Sequence, residues 1–270
     1  MKNYKNIITL SKNARGIWDL DPSKGCASGV SLGQKGCYND CYAAKKAKIY
    51  GYDFSKTVFR HFRDIRHERQ IIRKINKIDM PFIRMGCSGD PSEDWGHTIS
   101  IICKIARANK EIVIITKHWQ VLTDSQLGEL EKYKVCINTS VSALDEESQR
   151  KKCLLQYNRL KPFCKSFLRI VSCDFNKEND IGAKMAIIQE WLFKNESTID
   201  TVFRASKSNS LVVDGVINVK MANFLGGKAL VSKLNRKAYL GKCESCIEKC
   251  GVFNEKFRRV PELIQTQLFN

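Results

Sequence analysis

Short apolar stretches alternate along this chain with longer segments in which apolar residues recur every three or four positions. The short stretches predict β-strands and the longer, amphipathic segments predict helices. The predicted strands span 16–20, 82–86, 111–116, 135–141, 167–171 and 198–203, and the predicted helices span 95–108, 123–132, 144–160 and 180–194. Ser142 and the acidic residues 145–147 mark the start of the third of these helices.

Strict alternation of strands and helices predicts parallel βα units, and therefore the α/β class. Six strands fit either a partial (β/α)6 barrel, similar to a TIM barrel, or a doubly wound sheet, because the sequence does not reveal strand order. We expect the partial barrel over residues 1–205. Residues 206–270 then form a cysteine-containing C-terminal extension packed on the barrel, and not a separate domain.

Polar residues follow many of the predicted strands. In both architectures, functional side chains lie beyond the carboxyl ends of parallel strands. We therefore expect a pocket rim from the strand-end residues, although each alone also fits a helix cap or turn, the interpretation we favour for Ser142 and Asp174. The rim residues are Ser88, Gly89, Asp90, Lys117, His118, Trp119, Asn138, Thr139, Ser140, Ser142, Ser172, Cys173, Asp174, Arg204 and Ser206.

Length and composition are those of a soluble globular protein. The chain has 270 residues, of which 43% are hydrophobic, so it can form a real core. No apolar stretch approaches the roughly 20 residues of a membrane span, and the start of the chain does not resemble a signal peptide. We therefore expect a cytoplasmic protein.

The formal net charge of +18 favours polyanionic partners, above all nucleic acid. Between Lys45 and Lys77, eleven basic residues stand against three acidic ones. Spacings of three or four residues predict a helix with a basic stripe, which fits nucleic-acid contact or a merely solvated face about equally well. The stripe comprises Arg60, Arg63, Arg66, Arg69 and Arg73.

Twelve cysteines require an explanation other than disulfides, which are typical of small secreted domains. Cys103, Cys136 and Cys164 lie in apolar runs and are expected in the core. Six others form two groups. The N-terminal cysteine group has the spacing C-x10-C-x3-C, and the C-terminal cysteine group has C-x2-C-x3-C. The first contains Cys26, Cys37 and Cys41, and the second contains Cys243, Cys246 and Cys250.

The N-terminal group lies in a loop that contains Gly25, Gly29, Gly33 and Gly36, whose backbone can approach a cofactor closely. Thiolates bind iron–sulfur clusters and zinc. Three thiolates leave one iron of a cubane open, whereas zinc needs a fourth ligand, for which His61 and His67 are candidates. The C-terminal group fits zinc or a second cluster, with Cys87 or Cys173 as a conceivable fourth ligand or as plain core residues.

The segment Cys37-Tyr38-Asn39-Asp40-Cys41-Tyr42-Ala43, placed after a first strand and before about five βα units, resembles the radical SAM superfamily. The likeness is closest to small phage-encoded and uncharacterised members. The stretch from Arg84 to Pro91 resembles that superfamily's Gly-Gly-Glu-like segment. As an architecture the resemblance covers residues 15–205. The usual loop is C-x3-C-x2-C, but Ala44 occupies the third position here, so the remaining ligand must be Cys26.

The resemblance implies a [4Fe–4S] cluster on the N-terminal cysteine group, with S-adenosylmethionine chelated at its open iron and cleaved to a 5′-deoxyadenosyl radical after one-electron reduction. It also implies an electron donor as partner. The implied cofactor contacts are Ser88, Gly89 and Asp90 to the amino group, Asn138, Ser140 and Ser142 to the ribose or carboxylate, and Arg169 or Arg204 to the carboxylate.

His118 fits a proton carrier for the substrate, although a lone histidine is more often structural. The charge suggests that the enzyme modifies a nucleic acid. A non-catalytic, metal- or cluster-containing nucleic-acid-binding protein is the alternative from another class. Cluster chemistry without S-adenosylmethionine, such as sulfur transfer, is a third interpretation.

Overall fold

The computed structural model describes residues 6–30, 37–234 and 238–253. Gly33 and Gly36 of the cysteine loop lie outside these ranges. Eight α-helices are present in them: α1 (Ala27–Val30), α2 (Tyr42–Ile49), α3 (Ile65–Asn76), α4 (Trp95–Ile105), α5 (Asp124–Glu131), α6 (Glu147–Leu160), α7 (Asp180–Phe193) and α8 (Ser210–Val213). None of the helices in the described ranges is both long and apolar enough to cross a membrane.

Thirteen strands accompany these helices in the described ranges. They are β1 (Ser11–Lys12), β2 (Trp18–Asp19), β3 (Ser23–Lys24), β4 (Val58–Phe59), β5 (Phe82–Met85), β6 (Glu111–Thr116), β7 (Val135–Val141), β8 (Lys165–Ser172), β9 (Asp174–Phe175), β10 (Thr198–Arg204), β11 (Ile217–Asn218), β12 (Lys220–Phe224) and β13 (Gly227–Ser232).

A nine-stranded sheet with the order β1-β2-β5-β6-β7-β8-β10-β13-β12 forms the centre of the molecule. Its six inner strands, from β2 to β10, are parallel, while β1 and the β12–β13 hairpin are antiparallel additions. The parallel strands follow one another in chain order. A doubly wound sheet would reverse that order at a switch point, so this alternative is wrong. The sheet keeps two edges, β1 and β12, and is not a closed barrel.

The six predicted strands and all four predicted helices are confirmed as elements. Strand β7 matches its predicted range, and nearly every one of its residues is buried, as expected for a parallel strand covered on both faces. Helix α6 begins at Glu147, later than predicted. The reason is a turn in which the Ser142 amide donates to the Asp145 carboxylate over 2.7 Å, so Ser142 does not cap the helix.

The predicted basic helix exists as α3, but the assignment of Arg60 and Arg63 to it is wrong, because both precede its first residue, Ile65. Asp64 caps α3 by accepting a hydrogen bond from the His67 amide. Arg60 precedes this cap and is buried, with its guanidinium donating to the carbonyl oxygens of Ile7 and Asp21. These internal hydrogen bonds occupy the guanidinium group of Arg60, which is therefore not available to a ligand.

Alternate residues of the parallel strands enter two different cores. One face packs against helices α3 to α5 through residues such as Ile83 and Ile114. The other face carries Phe82, Val113, Cys136, Phe167 and Ile199, and it is covered by Cys243 and Val252. The C-terminal extension therefore packs on the sheet face opposite those helices, while its β12–β13 hairpin lengthens the same sheet beyond β10.

Two of the three cysteines expected in the core are at least partly buried, namely Cys136 and Cys164. Cys103 is exposed, so the prediction for it is wrong. Helix α4 buries Ile101, Ile102 and Ile105 and turns the position between them to solvent.

A cysteine-lined cavity at the carboxyl edge of the sheet

A cavity of about 540 Å³ opens where the parallel strands end. Its size is typical of small-molecule and cofactor sites. Residues at the ends of β5 to β10 line it together with all three members of the N-terminal cysteine group. Of the predicted site residues, the structure places Gly89, Asp90, Ser140, Arg169 and Arg204 in the same wall.

Cys26 is held against the loop that follows β5. The Gly25 amide donates to the Ser88 carbonyl oxygen over 3.0 Å, and Gly25 forms a parallel bridge with Gly89. Gly25 adopts a φ of +78°, and a Cβ there would overlap the Lys56 carbonyl oxygen. A Cβ at Gly89 would likewise overlap the Gly25 carbonyl oxygen. Two glycines thus allow the cysteine loop and the Ser88–Gly89 segment to touch.

Cys37 and Cys41 are held from the other end of the sheet through Asp40. The Asp40 carboxylate accepts hydrogen bonds from the Ser206 amide (2.8 Å) and the Asn209 side chain (2.7 Å), and it pairs with Lys45. Although burial alone would raise it, these donors hold the pKa of Asp40 below its usual value. Ser206 and Asn209 follow β10, the last of the six parallel strands.

These two attachments hold the cysteine loop at two places. Cys26 is fixed beside β5, the second parallel strand, whereas the segment from Cys37 to Cys41 is fixed by the loop after β10, the sixth parallel strand.

A second contact of the cysteine loop involves Lys117, a buried member of the predicted pocket rim to which the sequence assigned no role. Lys117 directly follows β6, and its ammonium pairs with Asp145 and donates a hydrogen bond to the Tyr38 hydroxyl oxygen. The ammonium also lies 4.5 Å from the centre of the Tyr38 ring. Its position after a buried strand predicted Lys117 as a rim residue, but its partners are distant in the chain and could not be predicted from it.

Burial disfavours the thiolate form of all three thiols of the N-terminal group. It raises the pKa of Cys26 and Cys41 above the usual value, and it raises the pKa of Cys37 to about 12 while the Lys117 cation opposes part of that rise. A metal would have to displace these protons. Within the described ranges, no three His, Cys, Asp or Glu side chains form a group that could hold a metal ion.

Buried carboxylates shape the loop after β5. Asp21 accepts hydrogen bonds from the amides of Gly86, Cys87 and Ser88 over 2.8 to 2.9 Å. Asp90 accepts from the Thr116 hydroxyl and the Lys117 amide, each over 2.7 Å. The Asp90 carboxylate therefore joins the loop to the end of β6.

The other predicted contacts lie behind the cavity wall. The Asn138 amide donates to the Cys250 carbonyl oxygen over 3.0 Å, and the Ser142 hydroxyl donates to the Val171 carbonyl oxygen over 2.7 Å. Ser88 contributes its backbone, as described above. None of the three lines the cavity.

His118 is also outside the cavity lining and is completely buried. Its Nε2 lies 2.9 Å from the Thr139 hydroxyl, and its ring packs beside Trp95. Burial lowers the pKa of His118 to about 3, so the imidazole is neutral at ordinary pH. This environment is that of a structural histidine.

The C-terminal cysteine group lies on the same sheet face as the cavity, but none of its members lines it. The Cys243 amide donates to the Arg15 carbonyl oxygen over 2.7 Å, and Arg169 approaches the Cys250 sulfur at 3.8 Å. Among the candidate fourth ligands, Cys87 lines the cavity, whereas Cys173 is buried elsewhere in the core.

The two histidines considered as zinc ligands, His61 and His67, do not line the cavity. The His61 ring lies edge-to-face against the His97 ring, with 4.8 Å between the ring centres. His67 belongs to the first turn of α3, where its Nδ1 accepts a hydrogen bond from the Arg63 amide over 3.2 Å.

Four arginines of the predicted basic stripe are solvent-exposed, namely Arg66, Arg69 and Arg73 on α3 and Arg63 just before its cap. Within the part of the chain that the structure describes, no carboxylate forms an ion pair with any of these four guanidinium groups. Their charge is therefore available to an external partner.

Comparison with known proteins adds no relative from which a function could be transferred. No protein-family model matches the chain, and no curated protein and no solved structure is significantly similar to it.

Proposed function

We propose that this protein is an iron–sulfur enzyme of the radical SAM type, in which a partial (β/α)6 barrel carries the cluster on the N-terminal cysteine group. One observation supports this above all. Cys26, Cys37 and Cys41 line a single cavity at the carboxyl edge of six parallel strands that follow one another in chain order. In α/β proteins with this arrangement, that edge is where cofactors and substrates react.

The chemistry of the donor set fits the cluster. Three thiols share the cavity, whose volume of about 540 Å³ is that of a cofactor site. When bound, the cluster with S-adenosylmethionine supplies one-electron cleavage of the sulfonium, which yields a 5′-deoxyadenosyl radical. An external electron donor supplies the electron.

The roles of the chain itself are to hold and to orient. Asp40 and Lys117 fix the loop that carries Cys37 and Cys41. Arg169 provides a guanidinium group in the wall that can bind the carboxylate of S-adenosylmethionine. Asn138, behind the wall, orients Arg169 through an oxygen 3.4 Å from its Nη1.

The test is anaerobic reconstitution with iron and sulfide, followed by dithionite reduction in the presence of S-adenosylmethionine. We expect 5′-deoxyadenosine and a change in the EPR signal of the reduced cluster when S-adenosylmethionine is added. Cys37→Ala should abolish both, whereas Cys103→Ala, at an exposed cysteine far along the chain, should leave both unchanged. An intact cluster that yields neither signal would refute the use of S-adenosylmethionine.

A second function is favoured by the exposed arginines of α3, namely a non-catalytic metal- or cluster-containing protein that binds nucleic acid. Metal analysis separates the two functions, because zinc alone in both cysteine groups favours the binding protein. Reversal of Arg63 and Arg66 to Glu should then weaken binding and flatten its salt dependence. Unchanged affinity would return this stripe to a solvated surface.

A further inference from the structure

Part of the cavity wall comes from segments outside the six βα units. These are the turn between β1 and β2, the tip of the β12–β13 hairpin, and residues 239–240. Arg15 joins two of them, because its Nε donates to the Gly241 carbonyl oxygen over 3.0 Å and its Nη2 to that of Tyr239 over 3.3 Å. This part of the wall is therefore held together by an arginine from the start of the chain.

Arg204 reaches the cavity from the end of β10, between two aromatic rings. Its guanidinium carbon lies 5.3 Å from the centre of the Tyr42 ring and 5.0 Å from that of the Phe224 ring. Rings at this distance fix a guanidinium group but accept no N–H hydrogen bonds at its edge. The donors of Arg204 are therefore oriented while remaining available to a ligand.

Three of the cations that line the cavity form no ion pair with the described residues. No carboxylate among the described residues lies within 4.0 Å of the side-chain nitrogens of Arg15, Lys46 or Arg204. By contrast, Arg84 in the same cavity pairs with Asp19 over 2.9 Å. Burial, together with the nearby charge of Arg15, lowers the pKa of Arg204. A bound anion would offset this repulsion.

We propose that Arg204 and Lys46, which both line the cavity, form a phosphate-binding subsite, which makes the substrate a phosphorylated compound of the nucleotide class. The planar fork of arginine matches phosphate oxygens in pairs. Phe224 and Tyr239 in the same wall offer aromatic surface to a base. The substrate class rests on the proposed function, in that the substrate enters the cavity that holds the cluster, whereas phosphate binding does not depend on the cluster.

The test measures binding to the purified full chain without added iron, sulfide or S-adenosylmethionine, so that its outcome is independent of radical chemistry. The probes are thymidine 5′-monophosphate and thymidine, which differ only in the phosphate. We expect thymidine to bind at least tenfold more weakly. Arg204→Gln should weaken binding of the monophosphate by about tenfold, as expected for loss of a charged hydrogen bond, and Arg204→Lys should restore part of it.

Arg107→Gln is the matched control, because Arg107 is an exposed arginine on a different surface and does not line the cavity. Equal affinity for the two probes would overturn the proposal. So would an equal loss of monophosphate affinity in Arg204→Gln and Arg107→Gln, provided that both variants melt at the wild-type temperature. The proposal would also be wrong if Arg204→Gln weakened only S-adenosylmethionine binding by the reconstituted protein. A single-stranded oligothymidylate that binds more tightly than the monophosphate, with steep salt dependence, would support the subsite and identify a polynucleotide substrate.

Discussion

The Asp40→Asn substitution tests whether the attachment of the cysteine loop to the end of β10 is needed for metal retention. The Asp40 side chain is fully buried and accepts from Ser206 and Asn209 besides pairing with Lys45. The Asn side chain that replaces Asp40 carries no negative charge. One of the two carboxylate oxygens is replaced by an NH₂ group, which cannot accept a hydrogen bond from these donors. Loss of one member of such a buried arrangement costs about 3 kcal/mol.

The assay is urea unfolding of the metal-free protein together with the rate at which a chelator removes iron from the reconstituted protein. We expect Asp40→Asn to lower the free energy of unfolding by about 3 kcal/mol and to speed iron loss. Because the pKa of Asp40 is lowered in the folded state, its contribution is present above the unfolded pKa of about 3.9 and is lost as pH falls through the folded value. Wild type and variant should therefore differ at neutral pH and converge in strong acid.

Asp53→Asn is the control for this prediction, since Asp53 lies in the same connection but is exposed, where it accepts hydrogen bonds from Ser55 and pairs with Lys56 at 3.6 Å. Exposed pairs of this kind contribute about 0–1 kcal/mol. If the two variants had the same free energy of unfolding and lost iron at the same rate, the attachment through Asp40 would have no part in holding the cysteines.

Three further predictions address the loop, the buried histidine and the C-terminal cysteine group. Gly25→Ala should lower the free energy of unfolding in urea by about 3 kcal/mol or more. Gly51 also has a positive φ, but no heavy atom lies within 4 Å of a Cβ placed there, so Gly51→Ala should cost about 1 kcal/mol. Equal costs would contradict the proposed overlap with the Lys56 carbonyl. The pKa of His118 falls to about 3 on folding, so between about pH 6.5 and pH 3 the unfolded chain binds a proton that the folded chain does not. The free energy of unfolding should therefore fall as pH drops through this range, by at most about 1.4 kcal/mol per pH unit. His118→Gln should flatten this dependence between pH 7 and pH 5, and an unchanged slope would assign it to other groups. Replacement of all three residues of the C-terminal cysteine group by Ala should lower the iron or zinc content while leaving the acid-labile sulfide of the N-terminal group. Unchanged metal content would show that the C-terminal group is a structural part of the core.

Several features of the candidate site were predictable from local pattern. Apolar periodicity and β-branched runs determine strands and helices over short distances, which is why six strands and four helices were predicted close to their observed bounds. The rule that functional groups follow the carboxyl ends of parallel strands selected Ser140 and Arg204, which do line the cavity. The same rule selected Asn138 and Ser142, which lie behind it, because a strand-end position does not specify the direction of a side chain.

The sequence by itself determined the α/β class, the succession of strands and helices, and the two cysteine groups, since each depends on residues close together in the chain. Strand order, the edges of the sheet and the partners of buried charges were decided only by the tertiary structure. Asp40 accepts its hydrogen bond from Ser206, which is 166 positions away. Arg60 likewise left the predicted basic stripe because distant backbone carbonyls bind it. Such pairings depend on which segments folding brings together, and no short-range pattern records that choice.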